Sequence, residues 1–372
     1  MKVVIVGAGV AGLAIGWRLL QAGAEVIVLE RAQPGHGATW AAAGMISVVG
    51  ESENTNPSEV ALARYSAALW PNFAREIEEG SKRRVSYRKD GKLVIAASAE
   101  AHERLAVRLA DDSDMSILST AQACALEPLL SPTIAGALWD PSEAQVDNRA
   151  LGAALAQVFV RAGGKLLSNE TVVQMETDGT RIRGARTPFG LHEGDAYVLA
   201  AGAWTSRIEG LPPEALPPVI PIKGEMVALT GGIPPTRIVW GDDVYLVSRA
   251  DRLLIGATAS EDGFDTRPTD AAATGLFSRA ATLMPTLANW RIAEHWAGLR
   301  PGSPDGLPML GHSVLEGLFV ASGQFRNGIL FAPAVAEAVA ALVLAKCPAM
   351  DMVAFDPRRF SGAALARANS PG

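Results

Sequence analysis

Six residues near the amino terminus restrict this chain more than any other feature. Gly7-Ala8-Gly9-Val10-Ala11-Gly12 is a complete GxGxxG, set between the β-branched run Val3-Val4-Ile5-Val6 and a helical pattern that reaches about Ala22. In a strand-turn-helix unit each glycine serves a separate purpose. Gly7 permits the tight turn, Gly9 lets backbone approach a pyrophosphate, and Gly12 lets helix and strand pack closely. The helix start, with Val10 and Ala11 in its first turn, then aims unpaired N–H groups at the phosphates. Gly23 ends the helix, and Glu25 to Glu30 reads as a second strand whose last residue lies 18 positions after Gly12. A carboxylate at Glu30 accepts hydrogen bonds from a ribose 2′-hydroxyl and repels a 2′-phosphate, which favours FAD or NAD over NADP. A glycine-rich turn with no ligand is the competing reading.

The rest of the chain is compatible with an enzyme of this kind. Its 372 residues exceed one comfortable core, so two structural units are expected. A net charge of -6 without a basic run gives no electrostatic footprint for nucleic acid or anionic lipid. Cys124 and Cys347 lie far apart without CxxC or metal-type spacing, which points to free thiols in a reducing, cytoplasmic setting. Strand-like sequence starts at Lys2 and the following apolar run is broken by three glycines, so neither a signal peptide nor a membrane span is expected. No metal-binding cluster is read, and His295 and His312 receive no role.

FAD is favoured over NAD by the segment that follows Glu30. Arg31 to Met45 contains Gly37-Ala38-Thr39-Trp40-Ala41-Ala42-Ala43-Gly44-Met45, too poor in large apolar groups for a core strand. Thr39, Ala42, Ala43, Gly44 and Met45 offer the close backbone surface that a flat isoalloxazine ring requires. A small-residue helix-packing site is the alternative. Near the other end, Leu318 to Ala321 reads as a strand, Ser322 to Gly328 as a turn, and Ile329 to about Lys346 as a helix. Gly323, Arg326, Asn327, Gly328, Ile329 and Leu330 therefore form a second ligand-facing strand-turn-helix. Its helix start would stabilise negative charge on a reduced ring, and Arg326 would add a cation. A surface salt bridge is the competing reading of Arg326.

Two side chains suit a substrate carboxylate. Arg300 ends the β-like run Ala293 to Leu299 and precedes Pro301-Gly302, which places a planar guanidinium fork at a strand end. A structural ion pair with Asp305 or Glu294 is the alternative. Tyr245 lies in the alternating strand Val244 to Arg249, where its hydroxyl is able to bond the same carboxylate or its ring to fill the sheet face. Residues 84–97 read as a hairpin around Asp90-Gly91, 148–162 as a helix, 165–200 as short strands and 218–256 as a strand-rich substrate sheet.

Six separated segments together resemble the D-amino-acid-oxidase-like flavoprotein family, and most closely the bacterial glycine oxidases linked to thiamine biosynthesis. They are Val6 to Gly9 extended to Glu30, Ala41 to Met45, Ala200 to Trp204, Pro221 to Glu225, Trp296 to Gly302, and Phe325 to Leu330. The resemblance implies an α/β (α+β overall) fold with a discontinuous Rossmann-like FAD domain, 1–80, 145–210 and 296–372. A substrate domain on a large mixed sheet would occupy 81–144 and 211–295. It implies dissociable, non-covalent FAD, with Val172 near the adenine and Gly202 and Trp204 at the cofactor. It implies oxidative deamination of a small amino acid held by Arg300, Tyr245 and Arg326, with oxygen as acceptor and no acid or base on the protein. Two positions depart from the glycine-oxidase pattern: Asp243 stands where relatives have His and Ala259 where they have Met. If Ala259 lines the substrate pocket, a receding wall would admit sarcosine or a small D-amino acid. A dehydrogenase with another acceptor, a 2-hydroxy-acid oxidase and a non-catalytic flavin subunit remain open, as does a homo-oligomer.

Overall fold

The computed structural model describes residues 1–48, 56–107, 114–241 and 243–361. Residues 49–55, 108–113, Asp242 and 362–372, all inside the expected domain ranges, lie outside the described residues.

The amino-terminal run forms β1, Lys2–Val6, followed by α1, Val10–Gln21, and β2, Glu25–Glu30. β1 lies inside a six-stranded sheet, flanked in parallel register by Ala196–Leu199 on one side and β2 on the other. Lys165–Ser168 continues the sheet beyond β2, and Leu318–Ser322 and then the antiparallel Met309–His312 continue it beyond Ala196–Leu199. Both faces of β1 are covered, which is why its sequence is continuously apolar. Val3 and Ile5 join a core with α1 and the helices Asn148–Arg161 and Ala332–Val343. Val4 and Val6 pack instead with Met175, Ile182 and Tyr197, beneath the three-stranded sheet Gln174–Thr177, Ile182–Thr187 and Gly190–His192.

A second sheet has eight strands, in the order Arg291–Gly302, Ile220–Thr230, Leu253–Gly256, Tyr245–Ser248, Ile238–Trp240, Lys92–Ala96, Gly136–Asp140 and Ser116–Leu118. Its pairs are antiparallel except Ile238–Trp240 with Lys92–Ala96. Alternation divides the long Ile220–Thr230 strand. Val227 and Leu229 face a core closed by the helix Asp270–Leu283, whereas Met226 and Ala228 face the Ala41–Met45 segment.

Arg291–Gly302 stays paired with Ile220–Thr230 through Gly302, across the 295/296 position expected as a domain bound. The structure alters two readings of secondary structure. The hairpin over 84–97 does not form, because both edges of Lys92–Ala96 are already taken by Gly136–Asp140 and Ile238–Trp240. Residues before it turn away, and Arg88 makes only an isolated bridge with Gln145. The late helix begins at Ala332 rather than Ile329. Among the described residues no helix is long and apolar enough to cross a membrane.

Candidate active site

The β1-to-α1 turn has the close approaches that its glycines require. A Cβ on Gly12 would meet the Gly7 carbonyl oxygen at 2.0 Å, and one on Gly7, at φ +105°, would meet Ala200 O at 2.4 Å. Gly9 is the N-cap of α1 and has no side-chain cap, so the first turn opens into a cavity. Thr39 reaches the same place, its Oγ1 accepting the Val10 N–H at 3.0 Å. The Glu30 carboxylate accepts the Ala8 N–H at 2.8 Å and the Ala32 N–H at 3.0 Å, which fixes it at the cavity edge.

From this cradle a cavity of about 570 Å³ runs to the face of the eight-stranded sheet. Gly7, Gly9, Val10, Ala11, Glu30, Arg31, Thr39, Ala42, Ala43, Gly44, Met45, Val172, Gly202, Trp204, Arg326, Gly328 and Ile329 all line it. Gly12, Gly323, Asn327 and Leu330 stand behind that wall. Gly323 supplies a turn at φ +73°, Asn327 Nδ2 donates to Glu59 at 2.9 Å, and the Leu330 carbonyl accepts from Ser66 Oγ and Trp70 Nε1. Arg31 stacks on Trp204, its guanidinium carbon 3.5 Å from the ring centroid, and burial lowers its pKa. Burial likewise lowers the pKa of Arg326. The preceding Phe325 is held at φ +44°, an uncommon state for a bulky residue, and its N–H donates to Pro301 O at 2.8 Å.

The sheet end of the cavity is a hollow made by glycines. Pairing sets Gly298 beside Gly224 and aligns Trp296, Met226, Gly256 and Tyr245 in one cross-strand row. Where the row lacks side chains, its neighbours lie flat. A Cβ on Gly224 would fall 2.3–2.5 Å from three guanidinium atoms of Arg300, and one on Gly256 would fall 2.4 Å from the Tyr245 hydroxyl. Arg300 donates from Nη1 to Thr258 O at 3.0 Å, and the Tyr245 hydroxyl donates to Met226 Sδ at 3.7 Å. Burial raises the Tyr245 pKa, opposed by the positive charge of Arg300, so this hydroxyl stays a donor at neutral pH. The carboxylates weighed as structural partners of Arg300 are engaged elsewhere: Asp305 with Arg359 at 2.7 Å, and Glu294 with Arg149 at 2.7 Å and Arg252 at 3.1 Å.

Ala259 and Asp243 are exposed and do not line the cavity. Ala257, two residues earlier, does. This removes the basis for reading Ala259 as a receding pocket wall. The sequence alone gives no individual role to Gly224, Gly256, Gly298 or Met226. Glycines inside strands of an otherwise apolar sheet are the available signal, since such positions mark close approach.

A mostly parallel sheet, a glycine turn closed by an acidic strand end, and a cavity that continues onto a second sheet define a dinucleotide-binding protein. The model of the family described as FAD dependent oxidoreductase (DAO) matches residues 2–342, and the chain belongs to that family. It is 34% identical over 369 residues to the glycine oxidase of Geobacillus kaustophilus, covering 97% of each chain. The crystal structure of glycine oxidase from that species matches the fold with a TM-score of 0.90 at 34% identity, over 97% of this chain and 100% of the other. The bifunctional protein ThiO/ThiG of Trichormus variabilis is 34% identical over 351 residues, which are 92% of this chain and 52% of that protein. FAD is accordingly the cofactor, and the glycine cradle, Glu30 and the small-residue wall at 42–45 fit it.

Proposed function

We propose that this protein oxidatively deaminates a small amino acid such as glycine, sarcosine or a small D-amino acid. One observation carries the reading: Arg300 and Tyr245 meet on a glycine-floored hollow continuous with the FAD cradle, and no carboxylate of the described residues pairs with Arg300, Asp305 and Glu294 being paired with other arginines.

A guanidinium fork with no acidic partner among the described residues is suited to a carboxylate, and bidentate pairing fixes orientation as well as position. Tyr245 donates to the same carboxylate, its proton retained through burial. Gly224, Gly256 and Gly298 let Arg300, Tyr245 and Ala41 lie close against the sheet, and Met226, Ala257 and Tyr245 line the cavity beside them. Arg326 adds a further cation to the cavity wall. FAD, held by the glycine cradle, Glu30 and the 42–45 wall, would supply hydride acceptance from Cα of the neutral amine and two-electron transfer to oxygen, so the products would be hydrogen peroxide and an imino acid that water converts to a 2-oxo acid and ammonia, or methylamine from sarcosine. The residues here then act by alignment and electrostatics rather than by proton transfer. Neither free cysteine lines the cavity, in keeping with non-covalent FAD, and two unpaired thiols suit a reducing cytoplasmic setting.

The test is anaerobic mixing of the yellow protein with glycine, sarcosine, D-alanine, D-proline, L-alanine and glycolate, followed by air. Bleaching by glycine, sarcosine or a D-amino acid, with recovery in air, is the expected result. Bleaching by glycolate alone would replace the amino acid with a 2-hydroxy acid. Bleaching without recovery would make the enzyme a dehydrogenase, and no bleaching would overturn the reading.

A further inference from the structure

Arg249 follows the strand that carries Tyr245, yet its side chain points away from the cavity into the protein, 8% exposed. Among the described residues its guanidinium donates to neutral oxygens. Nη1 donates to Gln145 Oε1 at 3.0 Å and Ser248 O at 2.9 Å; Nη2 donates to Val146 O at 3.0 Å, Asn148 Oδ1 at 3.3 Å and Ala43 O. A Cβ on Gly44 would lie 2.8 Å from Nη2, so the guanidinium packs directly against the back of the Ala43-Gly44 segment. That segment lines the cavity on its other side. The wall there is one residue thick, with a cation behind it.

Burial lowers the Arg249 pKa to about 10, partly offset by Asp147, which leaves the group charged at neutral pH. Arg88, Arg149 and Arg252 stand close enough to repel it. An arginine used only to tie loops together would be served equally well by a carboxylate among its acceptors. Here no carboxylate bonds the cation, and it sits in a low-dielectric layer where its field reaches farther than at the surface.

We propose that Arg249 is a positioning residue that also acts electrostatically, holding the Ala43-Gly44 wall against bound FAD and supplying a fixed positive charge that favours the reduced cofactor. This rests on the FAD-dependent amino-acid oxidation proposed above. Hydride arriving from the substrate Cα–H brings two electrons and one proton, so the cofactor gains one negative charge, and a nearby cation stabilises that product over the oxidised form.

The measurement is the midpoint potential of FAD bound to the full-length protein, determined by dye equilibration, with sulfite affinity, FAD content and thermal midpoint recorded alongside. Arg249→Met is expected to weaken sulfite binding at least tenfold and to lower the two-electron potential by about 30 mV or more, a tenfold change converted at about 30 mV per decade. Arg249→Lys, which keeps the charge but cannot reach every acceptor, is expected to restore the potential and sulfite affinity while the thermal midpoint stays below wild type. If Arg249→Met fails to fold, Gln145→Glu made together with Asp90→Asn, because Gln145 Nε2 otherwise donates to Asp90 Oδ2 at 3.2 Å, sets a carboxylate at the position 3.0 Å from Nη1 and neutralises the charge without removing the arginine. It too is expected to lower the potential. An unchanged potential in a FAD-loaded Arg249→Met or Gln145→Glu, Asp90→Asn protein overturns the proposal, as does a lysine variant that matches the methionine one. A wild type with bound FAD that no amino acid reduces removes the underlying reading instead, without any variant being needed.

Discussion

Gly224→Ala isolates the hollow from everything else in the cavity. The backbone at Gly224 is not in the left-handed region, so alanine meets no conformational penalty there; only the new methyl matters. Its Cβ would stand 2.3 Å from Arg300 Nη1 and 2.5 Å from both Cζ and Nη2, where ordinary contact begins at 3.4 Å. The guanidinium must therefore retreat by about 1 Å, and because it is the tip of a long side chain the fold yields at little cost. A carboxylate anchor is less forgiving. Misplacement of about 1 Å costs on the order of 100-fold in rate, or about 2.7 kcal/mol of transition-state stabilisation. The expected result is a kcat/KM for the preferred amino acid lowered about 100-fold by oxygen-electrode assay, with FAD content and thermal midpoint near wild type. A kcat/KM within threefold of wild type in a FAD-loaded variant would refute the reasoning that Arg300 works from the position Gly224 allows it.

Three further perturbations test separate parts of the structure. Arg300→Lys keeps the charge but loses the planar fork, and is expected to raise KM more than it lowers kcat, with kcat/KM down about 100-fold and bound FAD unchanged in its absorption spectrum. Lys92 and Glu143 form a buried ion pair at 3.3 Å, 2% and 0% exposed at their side chains. Lys92→Met removes the ammonium 3.3 Å from the buried Glu143 carboxylate, so urea unfolding should show a loss of about 3–5 kcal/mol, most of it recovered in the Lys92→Met, Glu143→Gln double variant. Asp305 is pushed up by burial but pulled further down by hydrogen bonds from Arg359 and the Leu307 N–H, so its net pKa lies below the usual carboxylate value. Its contribution to stability is thus complete above the unfolded value of about 3.9 and disappears as pH falls through the folded one. Asp305→Asn should lower the thermal midpoint at pH 7, and the gap from wild type should narrow steadily below pH 4.

What was legible in the sequence was what depends on contiguous residues. The strand, turn and helix from Lys2 to Glu30 are local, and each glycine announces its own backbone requirement. The Ala41–Met45 wall and the strand read over Leu318 to Ala321, which runs one residue further to Ser322, were visible for the same reason. The hairpin at 84–97 failed because Asp90-Gly91 is a sound turn signal that says nothing about which neighbours occupy a strand's edges. The hollow was hidden by register. Gly224, Gly298 and Gly256 lie on three strands, and only the cross-strand alignment turns them into one floor. Arg249 was hidden for a related reason: nothing in Ser248-Arg249-Ala250 indicates that this arginine turns inward to Ala43 and Val146 rather than outward to solvent.

Under the proposed function, that alignment also changes where substrate size would be decided. Ala259 is exposed and off the cavity, so its small side chain does not enlarge the pocket. The volume beside Arg300 is set by the glycine floor and by the row formed by Met226 and Tyr245, whose hydroxyl and sulfur touch at 3.7 Å. A substrate grows either towards that row, which is packed through Trp296 onto the Ala41 carbonyl at 3.0 Å, or over Gly224 and Gly298, where no Cβ stands. The row resists, because moving it pulls on the segment that lines the FAD wall. The floor is already occupied by the guanidinium and by Ala41, whose Cβ lies 2.4 Å from where a Gly298 Cβ would be. Both directions oppose a bulky side chain on Cα, and it is this packing that points the proposal to glycine and its smallest relatives.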